Sequence, residues 1–298
     1  MSAEAKRQQS ELRSAAQAQL PVICEQAEWK PLGGLDTDSA VWEVDGRIVK
    51  AHRVPPFRAR MLMRALHDIH ACLSPRHLAP RLISMSYDGT TFVMEFERVE
   101  ASGIALPAEV GFALGKAHTH LEHIPIKSTL AWTGFYGEFH EFRFLVPLVE
   151  DAAIRQQAER ILGLSQYRER TDPVHYIHRD LNPSNVLRTS ENVYLIDWEM
   201  AYGGHREDDV AMAICCLADL CETGEEKDLA NGFLEGYRQA LAVAWAELEH
   251  PVLRSAIALA GLRQAVAGWF SDGGDTSASY WPNIRNRLKT ACILLDVG

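Results

Sequence analysis

The chain has 298 residues, 47% of them hydrophobic and 23% charged, and it carries a formal net charge of −10. This composition excludes a disordered chain, and the length allows one large domain or two lobes that share a cleft. The negative charge argues against nucleic acid and anionic membranes as partners, because both are bound by clusters of Lys and Arg. By itself the charge is only a weak indication of a cationic substrate.

The first residues and the cysteines predict that the protein lies in a reducing compartment of the cell. The first 20 residues lack the apolar segment of a secretory signal, and no run of about 18 apolar residues occurs in the chain. The six cysteines form no C-x-x-C pair and show no Cys/His ligand spacing. We therefore expect a cytoplasmic protein with no membrane partner; the sequence makes no prediction about its oligomeric state.

The first part of the chain is predicted to be rich in strands. A polar helix over residues 1–20 is followed from Glu28 by short β-rich runs, and Asp45-Gly46 between two of them predicts a tight hairpin. A helix follows over 57–73, and a second pair of strands lies within 81–97.

After residue 100 the pattern is mainly helical, with one interruption at 174–202. Within it, NVLRT and NVYLID predict two short strands around the turn Ser190-Glu191-Asn192. We predict an α+β fold with an N-terminal lobe over residues 1–98, which includes the leading helix, and a larger helical lobe over 99–298.

The interruption also carries the polar chemistry. Asp180 lies in a loop, Asn185 opens one predicted strand, and Asp197 ends the next. A hairpin would bring Asn185 and Asp197 together, with Asp180 at its mouth. Carboxylate and amide oxygens suit Mg²⁺ held with substrate phosphates, and a carboxylate left off the metal can accept the proton of an attacking hydroxyl.

These residues stand in a known pattern. His178-Arg179-Asp180-Leu-Asn-Pro-Ser-Asn185-Val-Leu, followed by Leu-Ile-Asp197, resembles the catalytic loop and metal-binding segment of kinase-fold phosphotransferases. The resemblance implies a two-lobed protein-kinase-like fold with a small antiparallel sheet. It also implies that Asp180 is the catalytic base, that Asn185 and Asp197 hold Mg²⁺, and that ATP is the phosphoryl donor.

The residues after Asp197 narrow the resemblance. Trp198-Glu199 follow it where protein kinases have Phe-Gly, and no Ala-Pro-Glu segment appears later, which disfavours a protein kinase. Ile-Asp-Trp-Glu is instead similar to the choline, ethanolamine and thiamine kinase branch of the aminoglycoside phosphotransferase-like family. Asp209 resembles the Asp at that family's next helix start. The resemblance spans roughly residues 28–240, and only 178–211 is specific.

The same resemblance implies a nucleotide site in the first lobe. Gly33-Gly34 would form a reduced phosphate loop, and Ser39 would begin the second strand. Lys50 would end the third strand and contact the α- and β-phosphates. The adenine-binding hinge would begin at Glu95 and act through backbone groups.

One feature departs from the pattern. Kinase folds pair the strand lysine with a Glu on the next helix, and the predicted helix over 57–73 contains no Glu, only Asp68 near its end. Three alternatives stay open for Lys50: it has no carboxylate partner, it pairs with a carboxylate elsewhere, or it is not the nucleotide lysine.

The histidines are interpreted as structural. No carboxylate or Cys completes a metal-ligand set around the pairs His67/His70 and His120/His123. His118 is expected to pack behind the site. We expect His178 to brace the catalytic loop, against Asp209, rather than to act as a base.

The acceptor site is predicted from aromatic and acidic residues after Asp197. Aromatic faces beside a carboxylate hold organic cations, so the predicted contacts are Trp198, Glu199, Trp269 and Asp272. The sequence therefore predicts a kinase of a small hydroxyl compound, choline-, ethanolamine- or thiamine-like. The alternatives are an aminoglycoside kinase and a pseudokinase that binds a nucleotide without chemistry.

Overall fold

A computed structural model describes residues 3–20, 27–33, 39–126, 139–164, 174–220, 224–277 and 280–297. The contacts divide the chain into two compact units: Met1–Gly103 with Thr189–Tyr194, and Ile104–Arg188 with Leu195–Gly298. The first division therefore falls after Gly103, somewhat later than the predicted boundary between residues 98 and 99. The short segment 189–194 is counted with the first unit, which the sequence did not predict.

The first unit contains two helices and a sheet: α1 (Ala3–Gln19), β1 (Lys30–Gly33), β2 (Ser39–Val44), β3 (Arg47–Arg53), α2 (Pro56–Leu73), β4 (Leu82–Tyr87) and β5 (Thr91–Glu97). The five strands pair antiparallel in the order β1-β2-β3-β5-β4. The predicted leading helix, the first hairpin and the second strand pair are all present.

The hairpin between β2 and β3 shows why its turn could be predicted from the sequence. Asp45 and Gly46 both have positive φ, 49° and 73°, as the two central residues of a type I′ turn require. This turn sets the register, in which Val44 lies opposite Arg47 and Trp42 opposite Val49. Side chains of α1 pack with one face of the sheet in a common hydrophobic core: Leu12, Ala16, Leu20, Ala40, Trp42, Val44, Val49, Ala51 and Val93.

The second unit is mainly helical: α3 (Pro107–Leu121), α4 (Phe139–Leu145), α5 (Ala152–Leu164), α6 (Arg206–Leu217), α7 (Glu226–Ala240), α8 (Pro251–Leu262), α9 (Gly268–Ser271) and α10 (Trp281–Leu294). Four short strands lie among these helices along the chain: β6 (His175–Ile177), β7 (Val186–Arg188), β8 (Val193–Leu195) and β9 (Tyr202–Gly204). The first two residues of β8 are counted with the first unit. Strand β6 pairs with β9, and β7 with β8. The α+β class is therefore confirmed.

Helices α3 and α7 approach each other closely. A Cβ atom at Gly236 would lie 1.9 Å from the carbonyl oxygen of Ala108, and one at Gly111 would lie 2.0 Å from that of Phe233. Only glycine allows this approach, which brings polar side chains of the two helices within hydrogen-bonding distance. Of the helices described, none is long and apolar enough to cross a membrane.

Candidate active site

The loop after β6 brings Asp180 and Asn185 together. Nδ2 of Asn185 donates to the backbone oxygen of Asp180 (2.7 Å) and to its Oδ2 (3.2 Å), while Nδ2 of Asn182 donates to Oδ1 (3.2 Å). Both carboxylate oxygens of Asp180 are thus held by amide donors. Because the amide nitrogen of Asn185 points at Asp180, its Oδ1 points away from that residue and is available as a ligand.

Asp197 is placed next to this pair by the hairpin of β7 and β8. The N–H of Ile196 donates to the carbonyl oxygen of Asn185 (2.9 Å), so the residue before Asp197 is tied to Asn185. Asp197 has φ 66° and Arg179 has φ 69°. Left-handed backbone costs a residue with a side chain about 1 kcal/mol or more, so surrounding interactions must hold both positions.

Asp209, in the first turn of α6, holds the catalytic loop. Its carboxylate accepts hydrogen bonds from the backbone N–H groups of His178 (2.7 Å) and Arg179 (2.7 Å) and from Nε2 of His118 (3.0 Å), and its side chain is fully buried. Burial alone raises the pKa of Asp209, but the hydrogen bonds from His118 and from the backbone of His178 lower it below its ordinary value. An ionised, buried carboxylate therefore fixes the strained Arg179 backbone.

Behind Asp209 a second hydrogen bond extends the network. Nδ1 of His118 accepts the hydroxyl hydrogen of Tyr237 on α7 (2.7 Å). Burial lowers the pKa of His118 and raises that of Tyr237, so both are neutral, and Nε2–H of His118 is the donor to Asp209. The expectation that His118 packs behind the site agrees with this position. The sequence did not indicate Tyr237, which lies 119 residues from His118.

His178 is bonded through both ring nitrogens and has the bracing role predicted for it. Its Nε2 donates to the carbonyl oxygen of Ile196 (2.8 Å), and its Nδ1 accepts the N–H of Asp180 (3.3 Å). Its ring therefore braces the loop against the segment before Asp197. The predicted partner was Asp209, and that contact is made by the backbone of His178 instead.

The predicted acceptor residue Trp198 is corrected by its burial. Only 1% of Trp198 is exposed, its ring packs 4.5 Å from that of His178, and its indole N–H donates to the carbonyl oxygen of Leu195 (2.9 Å). This side chain has no face for a substrate. It supports the catalytic loop from within the core.

Two further predicted acceptor residues are occupied within the protein. Trp269 is 9% exposed and packs against Phe270 and Gly274. Asp272 accepts hydrogen bonds from the indole of Trp281 (2.9 Å) and the hydroxyl of Tyr280. Glu199, the residue that follows Trp198 in the chain, is also buried. The aromatic surface on which a cationic acceptor was predicted is therefore mostly hydrophobic core.

On the nucleotide side, Lys50 lies inside β3, between Val41 and Met94, rather than at its end. Because side chains alternate across a strand, Lys50 lies on the face opposite Val49 and Ala51, which pack in the core with α1. Ser39 begins β2, as predicted, and Gly33 ends β1. Gly34 lies outside the described residues.

Glu95 does not begin a hinge. It pairs with Val49 and Ser84 inside the sheet, and β5 continues to Glu97. Its buried carboxylate forms an ion pair with Arg47 and accepts the hydroxyl of Ser84 (2.8 Å). Glu95 therefore lies on the sheet face opposite Lys50, and any hinge begins after Glu97.

Comparison with protein families shows the family to which this chain belongs. The model of the phosphotransferase enzyme family APH matches residues 29–250. The chain belongs to this family. The resemblance predicted from the segment 178–211 is confirmed, and this APH-family protein is a phosphotransferase that acts on hydroxyl groups of small molecules. None of the curated proteins matches its sequence.

Solved structures of several kinases share the fold of this phosphotransferase. A structure of amicoumacin kinase in complex with AMP-PNP, Ca²⁺ and Ami gives a TM-score of 0.65 at 15% identity, over 99% of this chain and 96% of that one. A choline/ethanolamine kinase family protein from Mesorhizobium loti gives 0.61 at 14%, over 97% and 95%. Spectinomycin phosphotransferase with ADP and spectinomycin gives 0.60 at 16%, over 96% and 98%. Identities this low show the fold alone, and the predicted kinase-like fold is confirmed.

Proposed function

We propose that this phosphotransferase uses ATP and Mg²⁺ to phosphorylate a hydroxyl of a small metabolite, with Asp180 as the base. The observation that carries the proposal is the amide clamp around Asp180. It leaves a carboxylate in fixed orientation beside two metal-type ligands, Asn185 and Asp197. Family membership supports catalysis over nucleotide binding without chemistry. Related folds bound to AMP-PNP and ADP support a nucleotide donor.

The donor set fits Mg²⁺. Asn185 contributes an amide oxygen turned away from Asp180, and Asp197 contributes a carboxylate at a strained strand end. Mg²⁺ prefers such hard oxygen ligands and takes its remaining ligands from phosphates and water. When bound, it neutralises charge on the transferring phosphoryl group.

The protein groups then divide the work. Asp180 accepts a hydrogen bond from the acceptor hydroxyl, aims its oxygen at the γ-phosphorus and takes its proton as the new P–O bond forms. The bond from the γ-phosphorus to the bridging oxygen breaks, and ADP leaves. Lys50, on β3, would contact the phosphates of the nucleotide, as the family resemblance implies. Most of the rate enhancement comes from positioning and charge neutralisation.

The acceptor itself is less narrowly defined. A choline-, ethanolamine- or thiamine-like cation remains a prediction, and Glu199 is the buried acid that supports it. An aminoglycoside is the alternative, since spectinomycin phosphotransferase has the same fold.

The test is Asp180→Asn. The amide keeps the size of the side chain but cannot take the proton, so kcat for ADP release in the presence of acceptor should fall about 10²–10⁴-fold. Binding of AMP-PNP, measured by calorimetry, should stay within about twofold. Asp228→Asn, the same change at an exposed carboxylate on α7, is the matched control and should retain turnover. Wild-type turnover in Asp180→Asn would refute the proposal.

A further inference from the structure

A polar network of α10 lies beside the end of α6. Arg287 donates from Nε and Nη2 to Oδ2 of Asp219 (2.9 and 2.8 Å), in the helical turn Ala218–Leu220, and from Nη1 to Oε1 of Gln264 (3.1 Å). The side chains of Arg287 and Asp219 are only 17% and 13% exposed. A guanidinium has five N–H donors. Partners among the described residues use three, which leaves one donor on each terminal nitrogen.

Helix α6 contacts both this network and the catalytic loop. Asp209, Met212 and Cys216 are three and four residues apart, so they share one face of the helix. At one end of that face Asp209 holds the backbone of the catalytic loop. About 10 Å along it, the amide nitrogen of Gln264 contacts Sγ of Cys216 (3.4 Å) and Sδ of Met212. The network therefore lies on the side of α6 that faces the catalytic loop.

The pKa of Arg287 agrees with a position of this network near the catalytic loop. Burial alone lowers the pKa of Arg287, but Cys216, where it is a thiolate, and the carboxylates of Asp219 and Asp180 raise it above its ordinary value. Burial raises the pKa of Cys216 to about 12, so this residue is a neutral thiol. The guanidinium thus lies in the electrostatic field of the proposed catalytic base.

Gln264 is presented by an unusual segment. Residues Arg263–Ala267 form a single π-helical turn after α8. Such turns are rare and occur frequently at functional sites. As a structural link alone, a buried ion pair has little advantage over a hydrophobic pair of similar volume. The guanidinium of Arg287 is held in one orientation, and two of its N–H donors have no acceptor among the described residues. A bound ligand explains this arrangement better than a structural role does.

We infer that Arg287, braced by Asp219 and Gln264, binds a carboxylate of the acceptor, so that the substrate is a small hydroxy acid. The planar fork of Arg matches the two oxygens of a carboxylate. The inference rests on the proposed function, because Asp180 must receive the proton of the same molecule. It changes the predicted acceptor: a cation without an anionic group would leave Arg287 unused.

The test compares matched acceptors in an ADP-release assay with the full chain: glycolate with ethylene glycol, serine with ethanolamine, and longer hydroxy acids with the corresponding diols. We expect kcat/KM to be at least about tenfold higher for the acids. Arg287→Met should raise KM for the acid at least about tenfold and remove the preference, while KM for ATP stays unchanged. Arg285→Met is the matched control, since Arg285 lies on the same helix in an exposed pair with Asp151.

Gln264→Leu guards against a folding defect in Arg287→Met. It leaves the Arg287–Asp219 pair in place and should still raise KM for the acid, about threefold or more, because one of the hydrogen bonds that orient the guanidinium is lost. Equal or higher activity with carboxylate-free acceptors, unchanged by Arg287→Met, would overturn the inference and leave the proposed function standing. ADP release with none of the hydroxyl compounds would count against the proposed function itself, and the inference would fall with it.

Discussion

The two units support the reaction in different ways. In the second unit the reactive side chains are close in sequence, and hydrogen bonds through the buried Asp209 hold their backbone. In the first unit Lys50, the residue predicted to contact the nucleotide, lies on an antiparallel sheet, on the face opposite the buried Glu95. The catalytic loop is therefore over-determined by many contacts, whereas the sheet mainly supplies position.

This comparison predicts which property a mutation in each unit should change. A buried carboxylate that satisfies three donors cannot be removed without leaving all three unsatisfied. A charge on a sheet surface can instead be replaced at lower cost to folding, and its loss appears in ligand affinity.

The largest expected effect follows from Asp209→Ala. It leaves two backbone N–H groups and the ring of His118 without their acceptor, so the free energy of unfolding should fall by about 3–5 kcal/mol. Glu95→Ala is the matched change in the first unit. Its partner Arg47 is 40% exposed and can be hydrated, so the loss should be smaller. Urea denaturation measures both, and equal losses would contradict the contrast between the units.

Lys50→Ala should act on the nucleotide rather than on the fold. If Lys50 contacts the phosphates, KM for ATP should rise about tenfold or more, equivalent to about 1.4 kcal/mol, with KM for the acceptor unchanged. Lys30→Ala is the control, because Lys30 is exposed on the edge strand β1 of the same sheet. An unchanged KM for ATP would remove Lys50 from the nucleotide site and favour another residue.

A third prediction concerns the pH dependence of stability. Burial lowers the pKa of His118, so below about pH 6.5 the unfolded chain binds a proton that the folded chain does not. Stability should therefore fall as pH drops from 7 to 5. The lowered pKa of Asp209 acts only below about pH 4. His118→Gln should flatten the slope in urea midpoints.

The control for this prediction is His175, whose pKa burial also lowers. It is more exposed than His118, so His175→Gln should flatten the slope less. A slope that His118→Gln leaves unchanged would show that this histidine does not titrate on unfolding.

The smallest expected effect is that of Tyr237→Phe. It removes only the hydroxyl that donates to His118 and should cost about 1 kcal/mol of stability. Because the ring keeps its packing, kcat should fall by less than it does in Asp209→Ala. A loss of kcat as large as that of Asp209→Ala would mean that Tyr237 is needed for the catalytic loop itself.

The local parts of the structure were predictable from the sequence. The turn Asp45-Gly46 requires two positive φ angles, which Asp and Gly adopt readily. These two residues were therefore enough to predict the first hairpin. The pattern from His178 to Asp197 likewise places its ligands within one loop and one hairpin. In both cases the interacting groups are near each other along the chain.

The sequence failed where the partner is distant or where burial decides. Trp198 and Trp269 have the composition of a cation site, yet helix packing buries both. Glu95 was expected in a hinge, but pairing with β3 and β4 extends its strand. No periodicity distinguishes an aromatic residue of the core from one that lines a pocket.

By itself, then, the sequence determined the family and the α+β class. It also predicts three residues for the chemistry, because a short motif with fixed spacing specifies its own local geometry. Tertiary structure alone decided the partners of the predicted residues: Asp209 accepts from the backbone of the loop, Tyr237 donates to His118, and Arg287 joins Asp219 and Gln264 in a separate network. These contacts join residues tens of positions apart, and their energies come from burial, which exists only after the helices have packed.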